Sequence, residues 1–413
     1  MDRETCQLTS LRLSRVLEDI GVSEWMITKR RKMWLMAETL CDTAFCNILG
    51  VDAFFHHFGS QSEGSTTPGM TSDVDMLAYT DECCVLQDLR GWQPQKINLL
   101  VFKNERIPPQ HCYIQVLRQD IPLPLTSICG SDIPLPMTYL SSFERDNEGR
   151  LFLKNTYMDS TWTTLFKAYG KLIIHGPSRS ANEMQDYVAA LRCATLTEEC
   201  QFMFSRPRPG HWPKPETLTK ARMCPSFLVP QGYPESENKK IEWRFSTSLM
   251  ERLLVFDFTP TQMKVYTLIK MIRKTFIKPI VGDRLSTFHL KTAMMFTIES
   301  YPPEMWREDQ IIQCAIYCLT TLCRWLKLGY CPHFTTSGVN LFVGKLNKDE
   351  RRNLLETFQD YIDESLQIVF SIEMDDLGSR LINILDSTQT LTMMTRNQML
   401  NSVWKQLAHL PPH

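Results

Sequence analysis

Three acids and a Gly-Ser turn carry the chemical signal in this sequence. The stretch "FGSQSEGSTTPGMTSDVDML", residues 58–77, places Gly59-Ser60 ahead of a polar loop and then sets Asp73 and Asp75 one residue apart in an apolar run. A Gly-Ser turn entering a helix lets backbone N–H groups and a hydroxyl approach a polyphosphate closely. Carboxylates at i and i+2 of a strand point to one face, so this pair can hold Mg2+ on the same phosphates. Mg2+ keeps near-octahedral geometry and takes few protein carboxylates, so two aspartates alone make a weak site. Asp186, in "MQDYVAAL", opens an otherwise apolar strand where a buried charge without a partner would be costly. With Asp186 added, the set becomes a two-metal site. One ion would lower the pKa of an attacking hydroxyl and both would stabilise charge on the α-phosphate and the leaving pyrophosphate, which is nucleotidyl transfer. Each piece also has an ordinary reading: a loop Gly-Ser pair, a polar strand edge, a strand-end aspartate in water.

The elements that must position these residues are legible in outline. Apolar residues recurring every three and four positions predict an amphipathic helix over 5–20 and a longer one over 26–49, the latter with a very basic first turn. Strand-like segments follow: "VDMLAYT", "INLLVFK", "CYIQVL" and "LFLKNTY", separated by Pro, Gly, Asn and Asp. A polar loop and another strand, the one with Asp186, come next. A proline-rich stretch from Pro207 to about Glu237 reads as an irregular connector at a lobe boundary. Beyond it the patterns are mostly helical, over 261–278, 288–300, 309–327, 347–368 and 375–386, with Arg244 and Glu251 also expected on a helix. The expected fold is therefore α+β and bilobed: a mixed-sheet lobe with a long spine helix over 1–237, a helical-bundle lobe over 238–413, and a nucleotide cleft between them.

Length and composition fit this picture. The chain has 413 residues, 43% of them hydrophobic, enough for a substantial core. Its start, "MDRETCQLTSLRLSRVLEDIGVSEW", is charged and amphipathic rather than signal-like, and no segment reaches the roughly 18 uninterrupted apolar residues of a membrane span. A cytoplasmic setting without membrane partners is expected. The fourteen cysteines fall in apolar stretches without the spacing of a secreted disulfide scaffold, and free, mostly buried thiols are expected. Cys83-Cys84 and the Cys314, Cys318, Cys323, Cys331 series lack paired C-x2-C units with histidines, so no structural zinc is expected. A net charge of −1 does not announce a nucleic-acid binder, so any such surface must be a local patch.

In order, Gly59-Ser60, Asp73 and Asp75 in "SDVDML" and Asp186 in "QDYVAALRC" resemble the catalytic pattern of the cyclic GMP-AMP synthase-like receptors and their male abnormal (Mab) domain relatives, invertebrate members above all. The likeness continues through "EWRFSTSLMERLLV", "QMKVYTLIKMIRK", "STFHLKTAMMF" and "HFTTSGVNLF", from about residue 30 to about 345. It implies a template-independent nucleotidyltransferase fold and an enzyme that joins two nucleoside triphosphates, ATP, GTP or others, into a cyclic dinucleotide when double-stranded nucleic acid binds. It implies that Asp73, Asp75 and Asp186 hold Mg2+, with Mn2+ as the alternative ion, and that Gly59 and Ser60 hold the donor triphosphate. Arg244 would face the acceptor base, with Ser246, Ser248 and Glu251 on the same stretch. Lys270 would reach the donor phosphates, and Thr287 and Phe288 would carry the donor base. Phe288 stands where the vertebrate enzyme has tyrosine, keeping the stacking face and losing the hydroxyl. The inserted zinc element that the vertebrate enzyme uses on DNA has no counterpart here, which favours double-stranded RNA over DNA as the activator. RNA would be read by shape through phosphates and 2'-hydroxyls. Lys29, Arg30, Arg31 and Lys32 form the expected footprint, with Lys239, Lys240, Lys274 and Lys278 as additions. The resemblance further implies a ligand-dependent dimer and a downstream STING-type receptor for the product. Two alternatives remain open at this level: a catalytically silent Mab-domain scaffold, and a nucleotidyltransferase with a linear product.

Overall fold

Side-chain caps and apolar spacing set the helices of this chain, whose computed structural model describes residues 2–49, 52–127, 142–159, 173–182 and 184–384. Helix α1 (Arg3–Asp19) begins where the Asp2 carboxylate accepts the Thr5 N–H at 2.8 Å, and it buries Leu13, Val16 and Leu17 on one face. After α2 (Glu24–Leu49), strand β1 (Ala53–Phe58) runs directly into the short helix α3 (Gly59–Glu63). Strands β2 (Val74–Thr80), β3 (Cys83–Leu86), β4 (Ile97–Phe102), β5 (His111–Val116), β6 (Phe143–Arg145), β7 (Leu151–Leu153), β8 (Ile173–His175), β9 (Ser178–Asn182), β10 (Gln185–Ala189) and β11 (Leu191–Cys193) follow. Next come α4 (Phe202–Ser205), α5 (Pro215–Arg222), β12 (Ser226–Val229), β13 (Trp243–Ser246) and α6 (Ser248–Phe256). The helices α7 (Pro260–Ile272), α8 (Lys278–Val281), α9 (Thr287–Ser300), α10 (Ile311–Leu328) and α11 (Lys348–Asp363) complete the set used below. Capping boxes open α7 (Thr259 with Gln262), α9 (Ser286 with His289) and α11 (Asn347 with Glu350).

The fold is mixed α/β. One five-stranded sheet runs β1-β2-β10-β9-β8, and one six-stranded sheet runs β11-β12-β13-β5-β4-β3. Leu99, Cys112, Ile114, Leu153, Leu228 and Trp243 form the core of the second sheet. The helical core gathers α1, α7, α9, α10 and α11 around Leu17, Leu268, Met294, Leu319 and Phe358. Helix α2 joins the two kinds of structure. Glu38 accepts the His57 N–H of β1 at 2.6 Å and is salt-bridged to Arg252 of α6, while Asp42 accepts the Phe55 N–H at 2.8 Å.

Three expectations change. The stretch 207–237 is not merely a connector: α5 lies in it, and β12 pairs with β11 and β13 inside the second sheet. Arg244 lies on β13, not on a helix, so the sheet extends past residue 238, and α1 packs in the helical core although it opens the chain. Alternating burial along β13, with Trp243 and Phe245 inward, explains why a strand forms where helix was expected. The expected helix over 375–386 ends beyond the described residues. The segment Glu308–Leu328 is long and apolar enough to cross a membrane by composition, yet half of its most apolar window is buried, with Cys314, Cys318 and Leu322 packed in the helical core. The thirteen cysteines among the described residues are free.

Candidate functional site

Strand pairing builds the acidic cluster. In β2, Asp75 sits opposite Phe58 of β1 and, in parallel register, opposite Asp186 of β10. Asp73 precedes the same strand. Ligand oxygens of Asp73, Asp75 and Asp186 lie within 4.8 Å of one another, and this is the one group of three or more potential metal ligands among the described residues. Ser180 of β9 donates a short hydrogen bond to Asp186. Burial, followed by the repulsion of Asp73 and Asp186, pushes Asp75 up to about 7, against the pull of Lys291. Carboxylates gathered at such a cost are the donor set a divalent cation would relieve, so the residues fit Mg2+ or Mn2+.

Gly59 is required by contact with this cluster. Because Phe58 is paired with Asp75, the next residue turns against the carboxylate; Gly59 has φ of +75° and a Cβ there would lie 2.0 Å from Asp75 Oδ2. Ser60 follows, its Oγ 2.7 Å from Lys270 Nζ, which also donates to Ser65 O at 2.7 Å and Ser65 Oγ at 3.0 Å. Lys270 is buried, and that burial takes it down to about 7, with Lys291 and Lys274 adding repulsion and Glu63 opposing.

Two adjoining cavities share Gly59, Ser60, Asp75, Ser286 and Thr287. The first, of about 380 Å³, adds Asp73, Lys270, Arg273, Lys274 and Lys278. The second, of about 670 Å³, adds Glu63, Arg244, Ser246, Ser248, Glu251, Phe288, Lys291 and His333. Both volumes suit small ligands. In the second cavity Glu251 accepts from Thr247 Oγ1 at 3.0 Å and has His333 Nε2 at 3.7 Å. His333 Nδ1 accepts the Thr335 N–H at 3.2 Å, which leaves Nε2 to carry the ring proton toward Glu251. Among the described residues, the buried Nε of Arg244 and Oγ of Ser248 have no hydrogen-bond partner, so both are available to a ligand. The Phe288 and His333 rings lie 5.5 Å apart.

Every residue expected to hold nucleotide thus lines one of the two cavities, with Phe288 on the same side as Arg244. Sequence reasoning missed Glu63 and Lys291, which form a buried salt bridge across the site, from α3 to α9. Their signal was spacing: Lys291 lies three residues after Phe288 and Glu63 three after Ser60, hence on the same helical faces.

The four residues of the expected basic footprint divide into two pairs. Arg30 Nη1 donates to the carbonyls of Gly21 at 3.0 Å and Thr66 at 2.6 Å. Arg31 donates to the carbonyls of Glu63, Phe256 and Val255 at 3.0, 3.1 and 3.0 Å. These two side chains turn inward because helix-end and loop carbonyls need donors. Lys29 and Lys32 stay exposed beside Trp25, in a groove that Glu18 and Glu24 also line. Lys239 and Lys240 are exposed, whereas Lys274 and Lys278 line the first cavity.

Residues 261–360 match the model of the Mab-21 protein HhH/H2TH-like domain, a span that holds Lys270, Thr287, Phe288, Lys291 and His333. The match likens this span, 100 of the 413 residues, to the Mab-21 family. No curated protein matches the chain.

Proposed function

We propose, with the likeness to the Mab-21 family as the premise, that this chain is a cytoplasmic, nucleic-acid-activated nucleotidyltransferase that joins two nucleoside triphosphates into a cyclic dinucleotide. The observation that carries the reading is a cluster of three carboxylates whose Asp75 lines both of two adjoining ligand-sized cavities, with Asp73 in the first, one cavity lined with cations and the other with base-sized aromatic and hydrogen-bonding groups. Mg2+ held by Asp73, Asp75 and Asp186 would lower the pKa of an attacking hydroxyl and neutralise charge on the phosphates. The chain's own groups do the rest. Gly59 lets the backbone approach the phosphates closely, and Ser60 and Lys270 bind them. Arg244 and Glu251 offer a donor and an acceptor to the edge of the acceptor base, and His333 steadies Glu251. Phe288 gives the other base a face to stack on. Holding two nucleotides in adjoining cavities supplies proximity and orientation for the transfer. Double-stranded RNA, engaging Lys29 and Lys32, is the proposed activator, and a ligand-dependent dimer and a product-sensing receptor belong to the same reading.

The test is one reaction set: purified protein with four labelled nucleoside triphosphates and Mg2+, alone, with double-stranded DNA, or with double-stranded RNA, followed by phosphatase treatment and chromatography. A phosphatase-resistant product that appears with RNA and disappears in Asp73→Asn/Asp75→Asn supports the proposal. A phosphatase-sensitive product means a linear-product enzyme. No product with any nucleic acid, or with Mn2+, means a silent scaffold.

A further inference from the structure

The wall of the first cavity contains more positive charge than Lys270 accounts for. Lys270, Lys274 and Lys278 follow one another at four-residue spacing, and all three line the cavity that holds Gly59, Ser60, Asp73 and Asp75. On a straight α-helix, residues eight apart are rotated by about 80° from each other, so Lys278 would turn away from Lys270. The turn Arg273–Ile277 is π-helical, and its wider winding absorbs that excess. Such turns recur at functional sites.

Like charges four residues apart on a helix repel, so the row costs stability unless an anion lies on it. Burial and then the charges of Lys278 and Arg273 move Lys274 below its ordinary range. Apart from Asp73 and Asp75, the acid on this wall is Asp283, and it already serves Arg273 at 2.7 Å as well as Lys278 at 3.5 Å. Arg273 is committed to structure through the carbonyls of Leu285 and Gly282. Lys274 reaches Thr71 O at 2.9 Å and Thr71 Oγ1 at 3.0 Å, at the mouth of the loop that delivers Asp73. Lysine ammonium groups bind phosphate oxygens as point charges, and a row of them suits a chain of phosphates more than a single one.

We infer that Lys274 and Lys278 are outer phosphate-binding residues, which take the β- and γ-phosphates of the donor nucleotide while Lys270 serves the phosphates nearer the Gly-Ser turn. The inference rests on the nucleotidyltransferase reading and assigns these lysines to nucleotide, not to the nucleic-acid surface where the sequence alone placed them.

Calorimetric titration of ATP, ADP and AMP in Ca2+, together with double-stranded RNA binding, tests it without requiring turnover. Lys278→Met should weaken ATP binding by about five- to tenfold, an amount typical of one phosphate contact, and AMP binding by less than about twofold. Lys274→Met should do the same, and the double variant should lose about thirtyfold or more. Lys278→Met is the cleaner probe, since Lys274 also holds Thr71. Equal losses for ATP and AMP, or unchanged ATP affinity, overturn the assignment. So does a loss of RNA affinity with ATP affinity kept. A wild-type protein that binds no ATP overturns the nucleotidyltransferase reading itself, and this inference with it.

Discussion

Replacing Asp75 by asparagine should make the metal-free protein more stable, not less. The carboxyl is raised from 3.8 to about 7 by burial and by Asp73 and Asp186. A carboxyl whose folded pKa is raised binds its proton more tightly when folded, so its contribution turns unfavourable as pH climbs from about 4 and is fully unfavourable above about 7. At about 1.4 kcal/mol per pKa unit the full cost approaches ~4 kcal/mol, and partial exposure with relaxation of the rim reduces it to ~2 kcal/mol. Asp75→Asn removes the charge and nearly keeps the shape. Its unfolding free energy in EDTA should therefore exceed that of wild type by ~2 kcal/mol at pH 8 and by less than ~0.5 kcal/mol near pH 4. Millimolar Mn2+ should reverse the order at pH 8, stabilising wild type through linkage and the variant little. Urea denaturation at the two pH values, with EDTA or Mn2+, reads all four quantities. A variant less stable than wild type in EDTA at pH 8 would show that Asp75 is held by favourable contacts rather than strained by its neighbours. Equal Mn2+ stabilisation of both proteins would remove Asp75 from the metal site.

Other perturbations follow from single contacts. Gly59→Ala should destabilise by ~2 kcal/mol and abolish Mn2+-dependent stabilisation, because the new Cβ meets the Asp75 carboxylate at a positive φ; thermal melts with and without Mn2+ report both effects. Glu63→Gln leaves Lys291 buried without its anion and should cost ~3 kcal/mol by urea denaturation, much of it recovered in Glu63→Leu/Lys291→Met. Arg31→Glu should cost ~3 kcal/mol by orphaning three carbonyls, whereas Lys29→Glu/Lys32→Glu should leave the melting temperature unchanged and weaken RNA binding most at low salt.

The sequence alone determined whatever depends on near neighbours. Apolar periodicity placed α1, α2, α7, α9, α10 and α11 to within a few residues, and short strand-like runs bounded by Pro, Gly, Asn and Asp placed β2, β4 and β5, because those patterns arise within a single element. It also showed Asp73 and Asp75 as a pair, since two residues along a strand share a face. What it could not show was which distant partner each residue would meet. Asp186 was expected in the cluster from its place in an apolar strand and from the family resemblance, whereas the contact itself comes from the parallel pairing of β10 with β2, reached by a long crossover that leaves no local trace. Arg31 reads as part of a basic run, yet three backbone carbonyls from α3 and α6 draw it inward; Lys274 reads as surface charge, yet a π-helical turn keeps it in the row that lines the cavity. Glu63 and Lys291 share one salt bridge only because α3 and α9 pack across the site. Charge and spacing belong to the chain, whereas burial and partnership are decided by what the fold brings opposite, and the chemistry of this site depends on both.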